Sequence, residues 1–458
     1  MRIVVIGAGP TGLGAAYRLQ ELGFSDWDLY EASDHIGGLA ASHTDRQGFT
    51  YDIGGHVLFS HYPYFDDLVD RMLGDRFVQM RRESWIRTGG RYVPYPYQSN
   101  IRYLSNDDIV ACIMGLIKAQ RSSDPAQAGN FAEWIDAQFG EGIAQKFMIP
   151  YNVKVWAHPL KMMSKQWIAE RVALVDIEHI LRNVLKEQDD VQWGPNSTFK
   201  FPLRGGTGGL FEGFKPYVES HLHLNSRVTA IDPSRKVVEF ANGSHTNYDV
   251  LISSMPINLL VDSLETCPVS VRTAAQRLCW SSGLFVGVGI SRPCPSDKCW
   301  LYFPDAEVPF YRVTYLSNYS PYIAPDDKHF LLLTETSYSP YRPQDRGTIV
   351  SRTIDGLIAT GILDRADRSR IVATDLTDIK YSYPIPTVDR DAALADVQPY
   401  LMENAIYSRG RFGAWLYEIG NMDHSVMQGV EVVNRVLCGE EESTWFCRAG
   451  GAVLAGAR

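Results

Sequence analysis

The chain opens with Arg2-Ile3-Val4-Val5-Ile6 running directly into Gly7-Ala8-Gly9-Pro10-Thr11-Gly12. A short apolar run of this kind reads as a buried strand, and G-x-G-x-x-G after it opens a helix over about Thr11 to Leu22. Each glycine has a separate task. Gly7 permits the tight turn, Gly9 lets the backbone approach a pyrophosphate, and Gly12 lets helix and strand pack closely. The helix start then aims its amides at the phosphates. A second strand, Trp27-Asp28-Leu29-Tyr30, ends at Glu31, about 20 residues past the last glycine, where a carboxylate can accept from an adenosine ribose. Strand, loop, helix, strand and acid in this order specify a Rossmann-like dinucleotide fold.

The rest of the chain limits what that fold serves. At 458 residues it has room for two or three domains. A formal net charge of -9 argues against nucleic acid as a partner, because phosphate neutralisation needs a basic surface. An anionic substrate then requires a local basic pocket. No apolar run reaches the ~18 residues of a membrane span, so no membrane partner is expected. With a strand at residue 2 no signal peptide is expected, and the protein is read as cytoplasmic. Cys112, Cys267, Cys279, Cys294, Cys299, Cys438 and Cys447 are odd in number and lack C-x-x-C spacing. Free thiols are therefore expected, with no metal centre.

The order of segments points further. Residues 1 to about 80 begin the nucleotide unit. Ser84 to Tyr97 reads as a β segment turning at Gly89-Gly90. Apolar residues recur at helical spacing over Ile109–Ala119, Phe131–Phe139 and Trp167–Leu185, and 192–210 reads as loop. Short strands are expected over His221–Ser254, with Asp232-Pro233-Ser234-Arg235 and Asn242-Gly243 as turns. Leu284–Ile290 and Phe330–Thr336 read as strands; Asp355–Leu363, Arg390–Met402 and Ser425–Leu437 read as helices; Ala449–Arg458 reads as a loose tail. The expected fold is α/β: a Rossmann-like FAD-binding domain of the glutathione-reductase type, with an inserted helical domain and an antiparallel β-sheet domain. The FAD-binding domain is assigned 1–80, 204–275 and 405–458. The helical domain is 105–200, and the sheet domain is 81–104 and 276–404.

Two glycine pairs support a flavin dinucleotide. Gly37-Gly38 follows the acid and lets the chain pass close to a bound dinucleotide; Leu39 stands where amine oxidases carry an arginine. Gly54-Gly55-His56 supplies a second pair ending in a histidine. Near the end, Arg409-Gly410-Arg411-Phe412-Gly413 precedes a helix entry with Asp423 or Ser425 as cap.

At this point the chain resembles the UDP-galactopyranose mutases, and in particular their eukaryotic, fungal-like branch. The resemblance runs over nearly the whole chain. It includes Gly54-Gly55-His56-Val57-Leu58-Phe59-Ser60-His61-Tyr62, Val93-Pro94-Tyr95-Pro96-Tyr97-Gln98, Lys154-Val155-Trp156-Ala157 and Glu170-Arg171-Val172. Further matches are Trp193-Gly194-Pro195-Asn196, Arg204-Gly205-Gly206-Thr207-Gly208-Gly209, Cys299-Trp300-Leu301-Tyr302-Phe303-Pro304, Pro309-Phe310-Tyr311-Arg312 and Ser317-Asn318-Tyr319-Ser320-Pro321-Tyr322.

The resemblance implies a flavin-dependent nucleotide-sugar mutase that interconverts pyranose and furanose rings, by default those of UDP-galactose. N5 of reduced FAD is the nucleophile at the anomeric carbon, and NADPH is the reductant. It further implies that Arg171 and Arg312 hold the diphosphate, a task that suits fork-shaped guanidinium groups. Tyr302, Tyr319, Tyr383 and Tyr417 surround diphosphate and sugar, with Trp300 near the sugar and Trp156 among the substrate-binding residues. Tyr95, Tyr97 and Gln98 read the uracil, with Tyr97 in place of a phenylalanine. Asn196 lies on one mobile flap, and Arg171 on or near the other.

For the cofactor, the resemblance assigns His56 and Arg82 near the isoalloxazine, and Gly420, Asn421, Met422, Ser425 and Arg411 to flavin contacts. Gly7, Gly9, Gly12, Glu31, Gly38, Leu39 and Gly55 complete that set. Met422 stands where the family often has glutamine. The segment after Tyr322 and the C-terminal extension are short, so a monomer or small homo-oligomer is expected. Two alternatives stay open: the same ring contraction on a GDP- or TDP-linked hexose, and an FAD-dependent oxidase or desaturase of the amine-oxidase type.

Overall fold

The structure is a computed structural model that describes residues 1–168, 171–174 and 176–449; Glu170 and the tail beyond 449 lie outside the described residues. Its first strand, Ile3–Ile6, is buried at every position. A run with no polar alternation fits a parallel strand covered on both faces. It sits at the centre of a five-stranded parallel sheet, between Val250–Ser253 and Trp27–Tyr30, with Ile406–Ser408 and Leu222–His223 at the edges. Residues far apart in sequence thus build one nucleotide unit. The Pro10–Glu21 helix carries proline in its first turn, where no amide partner is lost. It packs along the Met422–Cys438 helix.

The second sheet has seven strands, in the order Ile371–Pro384, Trp280–Ile290, Phe330–Tyr338, Arg312–Tyr315, Trp300–Tyr302, Ser84–Thr88 and Arg91–Pro94. Its long central strands are almost wholly buried. The expected antiparallel sheet holds with one correction: Trp300–Tyr302 runs parallel to Ser84–Thr88. That pair joins two chain segments more than 200 residues apart, which no local pattern reveals. A helical block (Asn106–Ser122, Phe131–Ile143, Ile149–Trp156 and Ile177–Leu185) closes over the sheet end. Its aromatic core takes in Phe131, Trp134, Trp156 and Trp167 together with Tyr311 and Ile385 from the sheet unit. Among the described residues no helix is long and apolar enough to cross a membrane.

Three local expectations change. Residues 192–210 hold a strand, Thr198–Pro202, paired with Phe77–Arg81, and a helix, Gly208–Glu212. The Phe199/Phe201 alternation was hidden by the surrounding glycines and prolines. Among the described residues, helix spacing over Trp167–Leu185 yields an α-helix over Ile177–Leu185; Trp167 and Ile168 are buried as irregular chain. The helix expected over Asp355–Leu363 runs over Ile349–Ala359 and stops before Gly361, whose φ of 73° ends it. The Arg390–Glu403 helix, counted above with the sheet unit, buries Ala393, Leu394, Val397 and Leu401 in the core of the nucleotide unit.

Candidate active site

The glycine loop shows why its spacing matters. A Cβ on Gly12 would lie 1.8 Å from the Gly7 carbonyl oxygen, so only glycine lets helix and strand meet there. One on Gly38 would lie 3.1 Å from the Gly9 Cα, so the two glycine loops touch backbone to backbone. Gly7, Gly9, Glu31, Gly38 and Leu39 line one end of a cavity of about 1640 Å³. Glu31 accepts from the Ala8 amide at 2.6 Å and from the Ser33 amide and hydroxyl at 2.8 and 2.9 Å. It therefore shapes the loop it faces.

The middle of the cavity is walled by Gly55, His56, Arg411, Gly420, Asn421, Met422 and Ser425. His56 Nδ1 is buried with no partner among the described residues. Burial pushes this imidazole down to about 4; Glu335 opposes the shift, while Arg312 and Arg411 add to it. His56 is thus neutral near pH 7. Arg411 donates to the Gly420 carbonyl at 3.1 Å and to the Ser382 carbonyl at 3.2 and 3.3 Å. Burial lowers its pKa, and the nearby Arg171 adds to that, against the pull of Tyr383 and Tyr417. Asp423 accepts from both the amide and Nδ1 of His61, at 3.1 and 2.7 Å. It fastens the 54–62 stretch to the start of the Met422–Cys438 helix.

The far end holds Tyr95, Arg171, Asn196, Tyr302, Arg312, Tyr383 and Tyr417. Arg171 lies over the Tyr417 ring at 4.7 Å and donates to the Glu418 carbonyl at 2.8 Å and to Asn421 Oδ1 at 3.1 Å. Arg312 comes from the seven-stranded sheet and pairs with buried Glu335. Burial works against the Arg312 charge, but Glu335, Tyr311 and Tyr383 outweigh it and hold the guanidinium well above its ordinary range. Arg171, Arg312 and the neighbouring Arg411 beside tyrosine hydroxyls form a pocket suited to a compact polyanion inside a net acidic protein.

Seven of the expected site residues stand elsewhere. Gly12 lies under the glycine loop, in its packing role. Arg82 is not a lining residue. It donates to Asn196 Oδ1 at 2.5 Å and to the Trp193 and Val191 carbonyls at 2.5 and 3.2 Å, and it lies 4.9 Å over the Tyr95 ring. It clasps the 191–196 stretch from behind. Tyr97 is 0% exposed and stacks on Phe147 at 4.7 Å in the helical core. Gln98 donates to the Ala173 carbonyl at 2.7 Å, two residues beyond Arg171.

Trp156 stands edge-on to Tyr417 at 4.8 Å and to Tyr383 at 5.7 Å. Trp300 and Tyr319 are buried around Phe199. These side chains form the layer behind the lining. A motif match names an aromatic without telling which layer it occupies. Sequence reasoning missed Glu335 and Tyr311. A carboxylate in the apolar strand Phe330-Leu331-Leu332-Leu333-Thr334-Glu335 was the available signal, because a buried charge needs a partner.

The residues fit a flavin dinucleotide: a backbone cradle at Gly9 and Gly38, a helix N-terminus beside it, and an unpartnered buried nitrogen on His56. Residues 10–458 match the family model of flavin containing amine oxidoreductases. The crystal structure of a reduced UDP-galactopyranose mutase is 44% identical, with a TM-score of 0.95 over 98% of this chain and 96% of that one. Cyclohexylamine oxidase from Brevibacterium oxydans is 15% identical with a TM-score of 0.68, over 95% of this chain and 98% of its own, which shows a common fold. Among curated proteins, the 15-cis-phytoene desaturase of Glycine max is 25% identical over 300 residues, 57% of this chain. The chain spans about half the length of that relative, 48%. The chain belongs to the flavin containing amine oxidoreductases and, among them, to the UDP-galactopyranose mutases.

Proposed function

We propose that this protein is a flavin-dependent nucleotide-sugar mutase that interconverts the pyranose and furanose forms of UDP-galactose. The observation that carries the reading is the grouping of Arg171 and Arg312 with Tyr302, Tyr383 and Tyr417, with Arg411 beside the last two rings, in a cavity also lined by the dinucleotide cradle. A hydrophobic amine or polyene has no use for three guanidinium groups, whereas a diphosphate does. FAD is held by the glycine loop, Glu31, Gly38, Leu39, Gly55, Gly420, Asn421, Met422 and Ser425; when reduced it supplies the nucleophile for the anomeric carbon.

The protein's own work is positioning and charge. Arg171 and Arg312 bind the diphosphate in the ground state and keep it in place after the anomeric bond breaks, when it carries more charge. The tyrosine hydroxyls donate to its oxygens without adding charge. Neutral His56 offers a ring nitrogen rather than a competing cation in the middle of the cavity. Asn196, held by Arg82, stands where closure of the 191–196 stretch excludes water. With Tyr97 and Gln98 buried behind it, Tyr95 is the aromatic left to face the base. The alternative of a GDP- or TDP-linked hexose belongs to this same pocket.

We extend the reading to NADPH as reductant, to the eukaryotic, fungal-like branch, and to a cytoplasmic monomer or small homo-oligomer. The motif matches support the reductant and the branch. Chromatography of reduced enzyme with UDP-, GDP- and TDP-hexoses tests the donor. A furanose product from UDP-galactose is expected. Faster turnover of another donor overturns the default, and peroxide released from an amine or polyene overturns the mutase reading.

A further inference from the structure

We propose that Glu335 is a positioning residue that ties the Gly54-Gly55-His56 loop to the guanidinium of Arg312, so that one carboxylate sets both the cofactor side and the anion side of the cavity. The proposal rests on the mutase reading for its substrate but on geometry for its substance. Glu335 is 1% exposed in the Phe330–Tyr338 strand, directly across the sheet from Arg312. Its Oε1 accepts from the Gly55 amide at 3.0 Å and from Arg312 Nε. Its Oε2 accepts from the Tyr311 hydroxyl at 2.7 Å, which in turn lies 3.2 Å from the Tyr383 hydroxyl. A Cβ on Gly55 would lie 2.6 Å from Thr314 Oγ1, so the loop rests flat on the strand that carries Arg312.

A buried carboxylate with three donors on two oxygens is fixed tightly, because losing any donor exposes charge to an apolar interior. Arg312 spends Nε on this bond. Its two terminal nitrogens make no other hydrogen bond among the described residues, and they are the ones available to a diphosphate. A shift of the loop at Gly55 must therefore move the carboxylate or break its bond, and either change reaches Arg312.

A plain charge-balancing role gives the opposite forecast for the simplest variant. Glu335→Gln removes a negative charge beside Arg312. If the carboxylate only balanced charge, UDP would bind more tightly to the variant. If it positions Arg312, UDP binds more weakly, because the amide nitrogen meets a donor where the carboxylate met one. The test uses FAD-loaded full-length protein, UDP titration by calorimetry, and hydrogen exchange of the backbone around 53–57. The expected result is at least about tenfold weaker UDP binding and faster exchange at Gly55.

Glu335→Asp keeps the charge and shortens the reach, so it covers the case of a Gln variant that fails to load FAD. It too is expected to weaken UDP binding. Unchanged or tighter UDP binding in either loaded variant, or unchanged exchange at Gly55, overturns the proposal. Failure of the unmodified enzyme to bind UDP sinks the mutase reading instead. In that case the exchange measurement still decides the link between the carboxylate and the loop.

Discussion

Arg171 and Arg312 reach the same cavity from different parts of the chain, one beside the helical block and one from the sheet. A charge-assisted hydrogen bond to phosphate contributes about 1.5–3 kcal/mol, so Arg312→Ala or Arg171→Ala should weaken UDP binding about 10- to 100-fold in calorimetry. Unchanged affinity would remove the anion-binding role. His56 gives a second check at this scale. Its unfolded pKa is about 6.5, and in the fold it lies at about 4. The fold thus favours the neutral ring. The stability this contributes is present above about pH 6.5 and is lost as pH falls towards and through about 4. His56→Gln should therefore lose less thermal stability between pH 7 and 4.5 than the unmodified protein; equal losses would contradict a buried neutral ring.

Single residues were partly legible. Gly7, Gly9, Glu31, Arg171 and Arg312 line the cavity, and Gly12 lies directly under the glycine loop. Tyr97, Gln98, Trp156, Trp300 and Tyr319 were read as lining and prove to be its backing, because burial by a neighbouring layer leaves no mark on the sequence.

Elements decide what moves. The 191–196 stretch has no regular structure of its own before Pro195, and Arg82 holds it through two carbonyls and Asn196. Arg82→Ala should free it, raising the accessibility of Trp193 to a fluorescence quencher and raising KM for the nucleotide sugar several-fold. Unaltered quenching would show that Arg82 is not the clasp. The Ser443–Ala449 helix is held differently. Arg409 and Glu442 are both 0% exposed and form an ion pair, with the guanidinium 3.7 Å from the Trp445 ring. Removing one partner of such a pair strands the other, at a cost of about 3–5 kcal/mol. Glu442→Ala should show that loss in denaturant unfolding.

Regular periodicity found the Asn106–Ser122, Phe131–Ile143 and Met422–Cys438 helices. It failed at Thr198–Pro202, a strand that exists because Phe77–Arg81 pairs with it across more than 100 residues. Propensity is local, and that pairing is not.

At the scale of the molecule, segments interleaved along the chain assemble into a five-stranded and a seven-stranded sheet, with smaller sheets beside them, and residues from both large units line one cavity. The first 31 residues announced the dinucleotide unit, and the alternation of segment types announced its insertions. The parallel pairing of Trp300–Tyr302 with Ser84–Thr88 and the Glu335 hub were not announced, since both depend on long-range contacts. On the proposed function, a sugar nucleotide is rearranged only when the flavin is electron-rich. The most direct measurement is anaerobic incubation with UDP-galactofuranose, with and without dithionite, followed by chromatography of the products. The expected result is UDP-galactopyranose from the reduced enzyme and almost none from the oxidised form. Equal conversion in both states, or none in either, would contradict it.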